Sequence, residues 1–282
     1  MTALTHLLLV DPQNDFCDLP LAMRPGRLFR PALPVPGAHQ DMLRVADFIR
    51  RNTADIDAIT ITLDSHQSID IAHNTFWINA EGQTVAPFTA ITVDDIESGT
   101  YRPRQASALS RALDYTRALR ERGRYTLVAW PEHCVLGTWG HNVHSDVMRA
   151  CLQWSAVRHS EPLRVLKGMN PWTEHYSALA AEVADPDDAS TQTNTALLAR
   201  LSASERLLVA GQASSHCVRA TVEDLIRLGL PGERIILLTD CMSPVAGCAS
   251  LQQAFFDFAR DHRIQLATSQ TALMQREPSL TP

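Results

Sequence analysis

A three-layer α/β/α sandwich on a mainly parallel, doubly wound sheet is the fold this 282-residue sequence predicts, and three observations predict it. Short apolar runs of strand character alternate with amphipathic helical stretches along the chain, which is the order of repeated strand and helix units. Several runs, LLLV and RLLVAG among them, are apolar at consecutive positions, as strands covered on both faces must be. With 45% hydrophobic residues the chain is long enough to bury one sizeable core, so residues 1–282 read as a single domain.

In order along the chain, the first strand is Thr5 to Val10, followed by the proline-rich, irregular stretch Cys17 to Gly37. His39 to Asn52 has helical spacing and Ala58 to Leu63 is the second strand. Asn74 to Arg104 shows no sustained period; long loops in compact domains are usually covers over a site, so a lid is expected there. Together with the next helix it forms an insertion at about residues 74–124. A helix over Ala106 to Arg122, a strand over Tyr125 to Trp130, a helix over Val143 to Trp154 and a strand over Leu163 to Lys167 follow. His141 and His144 are assigned to a surface face of that helix. Ala184 to Thr193, with its DPDD run, is irregular. The remaining strands are Arg206 to Gly211, Arg234 to Thr239 and Arg263 to Thr268, separated by a helix opening at Cys217 and one over Ser250 to His262.

Composition excludes several classes. A formal net charge of −6, with no basic cluster interleaved with aromatics, argues against nucleic acid as a partner. No apolar stretch is long enough to span a bilayer, and the N-terminal run lacks the flanks of a signal peptide, so a cytoplasmic protein without a membrane partner is expected. Six cysteines without CxxC pairing read as reduced thiols in a chain of this size.

Ligands of open α/β sheets collect at the carboxyl ends of the strands. The residues that fall there are Asp11, then Asp64 and His66, then Trp130 and His133, then Lys167, and finally Cys217 at the start of a helix. Unpaired N–H groups and the positive end of a helix dipole favour a thiolate, which makes Cys217 the candidate nucleophile. Two constellations emerge: an acid, a lysine and a cysteine suited to nucleophilic chemistry, and a carboxylate with two imidazoles suited to a cation.

Five ordered segments resemble the nicotinamidase and isochorismatase-like cysteine hydrolases. LLLVDPQNDFCD at Leu7 to Asp18, VLKGMNPWTEHYSA at Val165 to Ala178 and VAGQASSHCVRAT at Val209 to Thr221 are similar to the segments that carry the family's catalytic residues. LDSH at Leu63 to His66 and WPEHCVLGTWG at Trp130 to Gly140 are similar to the metal signature of the nicotinamidase branch. The resemblance implies Asp11, Lys167 and Cys217 as the catalytic set and an oxyanion hole from the backbone N–H groups of Ala213 and Cys217, with a cis peptide before Ala213. It further implies Asp64, His66 and His133 as ligands of one divalent metal ion, zinc first and iron or manganese as alternatives, with His73 as a possible additional ligand. Phe16 and Trp130 match positions that flank a substrate ring.

The activity so implied is metal-dependent hydrolysis of a small aromatic amide through a thioester, nicotinamide to nicotinate and ammonia first. Other small amides or carbamoyl compounds are the alternative within enzymes, and a catalytically silent binding protein the alternative outside them. Isochorismate hydrolysis ranks below these because it needs no thiol. A small-molecule amide is the expected partner, and a homo-oligomer is expected by analogy alone. Three features depart from the family: the insertion, Ser214-Ser215 in place of a common Thr-Asp pair, and Gln67 where proline is usual. These bear on the substrate and leave the catalytic set whole.

Overall fold

A computed structural model describes residues 4–274. In chain order its elements are β1 (Thr5–Val10), α1 (Ala38–Arg51), β2 (Ala58–Asp64), β3 (Trp77–Asn79), β4 (Thr89–Ile91), α2 (Val93–Glu97), β5 (Tyr101–Pro103), α3 (Leu109–Arg122), β6 (Leu127–Ala129), α4 (Ser145–Arg158), β7 (Leu163–Lys167), α5 (Thr195–Ser202), β8 (Arg206–Gly211), α6 (Cys217–Arg227), β9 (Ile235–Leu238), α7 (Ala249–Asp261) and β10 (Gln265–Ala267). Six strands form one parallel sheet in the order β10-β9-β8-β1-β2-β7. β1 is buried at every position and β8 at all but its first, so both faces of the sheet are covered, as the uninterrupted apolar runs require. The chain builds outward from β1 to β7 and then returns to β1's other side with β8. The strand order therefore reverses between β1 and β8, where a crevice opens at the carboxyl ends.

Local chemistry starts the helices where the sequence places them. The Asp18 carboxylate accepts the N–H groups of Gly37 (2.9 Å) and His39 (2.8 Å) at the head of α1. Asn194 caps α5, a helix that the sequence reading does not include, by accepting the Leu197 N–H at 3.0 Å. His144 caps α4 through Nδ1, which accepts the Asp146 N–H at 3.2 Å. That role corrects the surface-face assignment: His144 is fully buried and precedes the helix, and His141 lies in the preceding turn.

The insertion departs most from expectation. Tyr125 to Trp130 shortens to β6 and lies outside the central sheet, pairing antiparallel with β4. Asn74 to Arg104 is not irregular: it contains β3, β4, α2 and β5, and α2 opens with a reciprocal capping box between Thr92 and Asp95. Phe76, Trp77, Ile91, Tyr115 and Leu127 belong to a second cluster of buried side chains, separate from the main core. Three-residue pairings this short carry little periodic signal, and burial against α3 is what holds them.

The β1–β8 ladder ends where Val10 pairs with Gly211. Gly211 has φ +126, and a Cβ there would sit 1.9 Å from the Val10 carbonyl oxygen. Gly211→Ala is expected to lose about 3 kcal/mol or more of unfolding free energy. Urea denaturation checks this, and a midpoint equal to wild type would contradict the close approach.

Candidate active site

Asp11 ends β1 in the left-handed region (φ 45) and is fully buried. Thr62 on the neighbouring β2 fixes it, donating from Oγ1 to Asp11 Oδ1 at 2.6 Å and accepting the Asp11 N–H at 3.0 Å. Lys167 ends β7, one strand further out, in register with Asp64 of β2. Its ammonium reaches past β2: Nζ lies 2.9 Å from Asp11 Oδ2, 3.0 Å from Asp64 Oδ1, 2.8 Å from the His175 carbonyl oxygen and 3.6 Å from Cys217 Sγ. Cys217 opens α6 just beyond β8, and the Gln212–Ala213 peptide is cis. The N–H groups of Ala213 and Cys217 have no acceptor among the described residues, and both residues line the same small cavity.

The acid, the lysine and the thiol thus meet at one point, and burial dominates their electrostatics. Burial pushes the Cys217 thiol well above its ordinary range, and Asp11 and Asp64 push it further, while Lys167 pulls it down. Burial beside two carboxylates thus works against the helix dipole at this sulfur. Burial also raises the Asp11 carboxyl, against the pull of Lys167. Burial opposes the charge of Lys167, but Asp11 and Asp64 hold its pKa well above normal. Asp64 keeps its charge in spite of burial because Lys167 and His66 hold its carboxyl well below the usual range.

Asp64 also belongs to the second constellation. Its Oδ2 lies 3.2 Å from His66 Nε2 and 3.3 Å from His133 Nε2. Two ligands of one tetrahedral ion at 2.0–2.1 Å lie about 3.3 Å apart, so these separations fit a shared cation. The ligating atoms of His66, His73 and His133 lie within 4.8 Å of one another, and all three rings are buried. The far nitrogens are oriented as metal-binding imidazoles require: His66 Nδ1 meets Asp70 Oδ2 at 3.0 Å, and His133 Nδ1 meets the Pro131 carbonyl oxygen at 2.8 Å. His73 Nδ1 is buried without a partner, and burial with the two neighbouring rings drives this imidazole down to about 2. A group of three imidazoles and a carboxylate, one nitrogen of it orphaned, fits a divalent ion.

Phe16 and Trp130 line the cavity together with Tyr176 and His216. Trp130 donates its Nε1–H to Tyr176 Oη at 3.1 Å, and His216 sits with its ring 5.3 Å from Trp130 and 5.6 Å from Tyr176. Cys134, beside His133, is a packed thiol at 0% exposure.

Several site residues escape sequence reading. Glu174 lines the cavity with its Oε1 buried and unpartnered, and burial raises its carboxyl to about 8. Its backbone N–H is held at 2.9 Å by Tyr115 Oη of the insertion. An isolated acid in a loop gives no periodic or motif signal. Asp70 does leave one, since it lies four residues after His66.

No protein-family model matches the chain, and no curated protein does. Solved structures do match in fold. The Acinetobacter baumanii nicotinamidase/pyrazinamidase superposes with a TM-score of 0.62 at 20% identity, covering 95% of this chain and 98% of that one. The yeast nicotinamidase bound to nicotinaldehyde gives 0.63 at 20%, covering 94% and 100%. The Pyrococcus horikoshii pyrazinamidase in complex with zinc gives 0.55 at 20%, covering 94% and 98%. At this identity the likeness is one of fold, and the three-layer, isochorismatase-like architecture is shared across nearly the whole chain.

Removing Lys167 would leave Asp11 and Asp64 facing one another without their shared cation. Lys167→Met is expected to cost about 3–5 kcal/mol in urea unfolding, and adding Asp11→Asn should recover part of that loss. Unchanged stability in Lys167→Met would show that the ammonium does not pair the two acids.

Proposed function

We propose that the chain is a metal-dependent cysteine amidohydrolase acting on a small heteroaromatic amide, with nicotinamide to nicotinate and ammonia as the leading reaction. The observation that carries this reading is the contact of one ammonium with both acids and the sulfur, 2.9 Å to Asp11, 3.0 Å to Asp64 and 3.6 Å to Cys217. The solved structures that share the fold, nicotinamidases and a zinc-bound pyrazinamidase among them, support the same class.

In this reading Asp11 takes the Cys217 proton as the sulfur attacks the amide carbon. Lys167 keeps Asp11 ionised beforehand and lowers the cost of the developing thiolate. The tetrahedral oxyanion falls to the free N–H groups of Ala213 and Cys217. When the carbon–nitrogen bond breaks, Asp11 returns its proton to the leaving nitrogen, ammonia departs and a thioester remains. Asp11 then deprotonates a water that attacks the thioester, the carbon–sulfur bond breaks and the thiol is restored with the release of the acid.

Asp64, His66, His133 and His73 would hold the metal, zinc first with iron or manganese as alternatives. Bound there, it would supply Lewis acidity toward a ring nitrogen or a water. Phe16, Trp130, Tyr176 and His216 close on a flat ring and exclude water around the reacting carbon. A second reading, a different small amide, draws its support from Glu174, an unpartnered carboxyl that offers a bare pyridine ring no evident partner.

The experiment is ammonia release from a panel of amides. Cys217→Ala should lose at least about 10³-fold in turnover while keeping the fold. Verified metal removal should abolish most turnover yet leave Cys217 open to alkylation. Full activity in either case would overturn that part of the reading. Because Asp11 must be ionised to accept the proton and its carboxyl is raised, kcat/KM should fall as pH drops, with its acid limb above the ordinary carboxylate range. A profile flat down to pH 4 would remove Asp11 from the base role.

A further inference from the structure

The loop from Cys17 to Gly37 serves two neighbouring places. Near its end, Leu33 lines the catalytic cavity, pinned by its N–H to the Asp15 carbonyl oxygen at 3.1 Å and by the Ala32 N–H to Asp15 Oδ1 at 3.0 Å. Its middle carries Arg24, Arg27 and Arg30, all lining one open cleft of about 730 Å³.

Three arginines and one acid line the cleft, which leaves it a surplus of positive charge. Its one acid, Asp18, already spends both oxygens on the N–H groups at the head of α1. Arg24 gives Nε and Nη2 to the Leu19 carbonyl oxygen, which leaves Nη1 uncommitted. Arg27 and Arg30 have neither an acceptor nor an ion pair among the described residues. Three like charges gathered on a chain of net charge −6 repel one another unless an anion shares them. Pro25, Pro31 and Pro34 restrict the backbone that presents them, which lowers the entropy lost on binding. Arg30 and Leu33 are three Cα steps apart, at most about 11 Å, so the cleft and the cavity lie on one short stretch of chain.

We propose that this cleft binds a carboxylate or phosphate group, brought either on a tail of the substrate or by a separate small anion. The first source rests on the hydrolase reading and narrows it to amides with an anionic substituent about one arginine's reach beyond the ring. The second stands without it.

Two measurements on the full chain separate these sources. The first is calorimetric titration of inorganic pyrophosphate, at low and high salt, into wild type and the Arg27→Ser/Arg30→Ser variant. The second compares kcat/KM for a nicotinamide whose ring tail ends in a carboxylate with its methyl ester. A substrate-tail site predicts about a five- to tenfold preference for the carboxylate in wild type, fading with salt, close to one in the serine variant and restored in Arg27→Lys/Arg30→Lys. No tail preference, but pyrophosphate binding in wild type that the serine variant loses, assigns the cleft to a separate anion. The proposal is overturned if pyrophosphate fails to bind and the tail brings no preference, or if the serine variant behaves as wild type in both measurements. If no amide is hydrolysed at all, the hydrolase reading fails while the titration still decides the cleft.

Discussion

An ammonium buried to 2% exposure is tolerable only with its charge paired, and Lys167 finds that pairing at the ends of two adjacent strands. The sheet order makes this possible. β7 lies beside β2 and β2 beside β1, so a side chain leaving the end of β7 meets Asp64 first and Asp11 next. One lysine thereby fuses what the sequence offers as two constellations. Asp64 uses Oδ1 for the ammonium and Oδ2 for the two imidazoles, so the proposed catalytic and metal groups share a residue as well as a wall. The geometry of either group depends on the other, and the parallel register Asp64 with Lys167 is the structural term that links them.

That sharing also bears on the sulfur of Cys217. A helix N-terminus offers a thiolate roughly 0.3–1 kcal/mol at exposed positions, up to about 2 in buried ones. Burying an anion beside two carboxylates costs more than this, so the Cys217 thiol is raised. The same burial raises Asp11, which makes it a better proton acceptor than a solvated aspartate. Thiol and carboxyl are shifted in the same direction by the same surroundings. Because burial raises both groups, the two shifts offset one another in the proton transfer proposed between them.

The sequence discloses those parts of the fold whose periodicity is long and whose burial is two-sided. β1, β2, β7 and β8 fall where their apolar runs lie, and Asp11, Lys167 and Cys217 can be found because a doubly wound sheet gathers strand ends. What it hides is pairing. YTLVAW is as apolar as the central strands, yet its partner is β4 across the insertion, a choice made by tertiary contacts that no run of residues announces. Likewise His144 looks like one more polar residue near a helix but is its buried cap. Glu174 carries no local pattern whatever, since its place in the cavity follows from the hydrogen bond Tyr115 makes to its backbone.

This last contact shows what the insertion does. Tyr115 on α3 fixes the backbone of Glu174, Phe88 packs edge-on against Trp130 with ring centroids 5.8 Å apart, and Tyr125 lies against Tyr176 at 4.9 Å. Three of the cavity's walls are therefore braced from outside by side chains of residues 88–125. A segment with its own buried cluster does not behave as a loose cover: repacking it costs core contacts, so its position is set together with theirs. Asp11, Lys167 and Cys217 are positioned by the central sheet and α6, whereas the cavity wall is positioned by the insertion. In the proposed reading, chemistry and substrate shape thus draw on separately packed parts of the chain, and a change in the inserted segment would alter which ring fits without disturbing the ammonium between Asp11, Asp64 and Cys217.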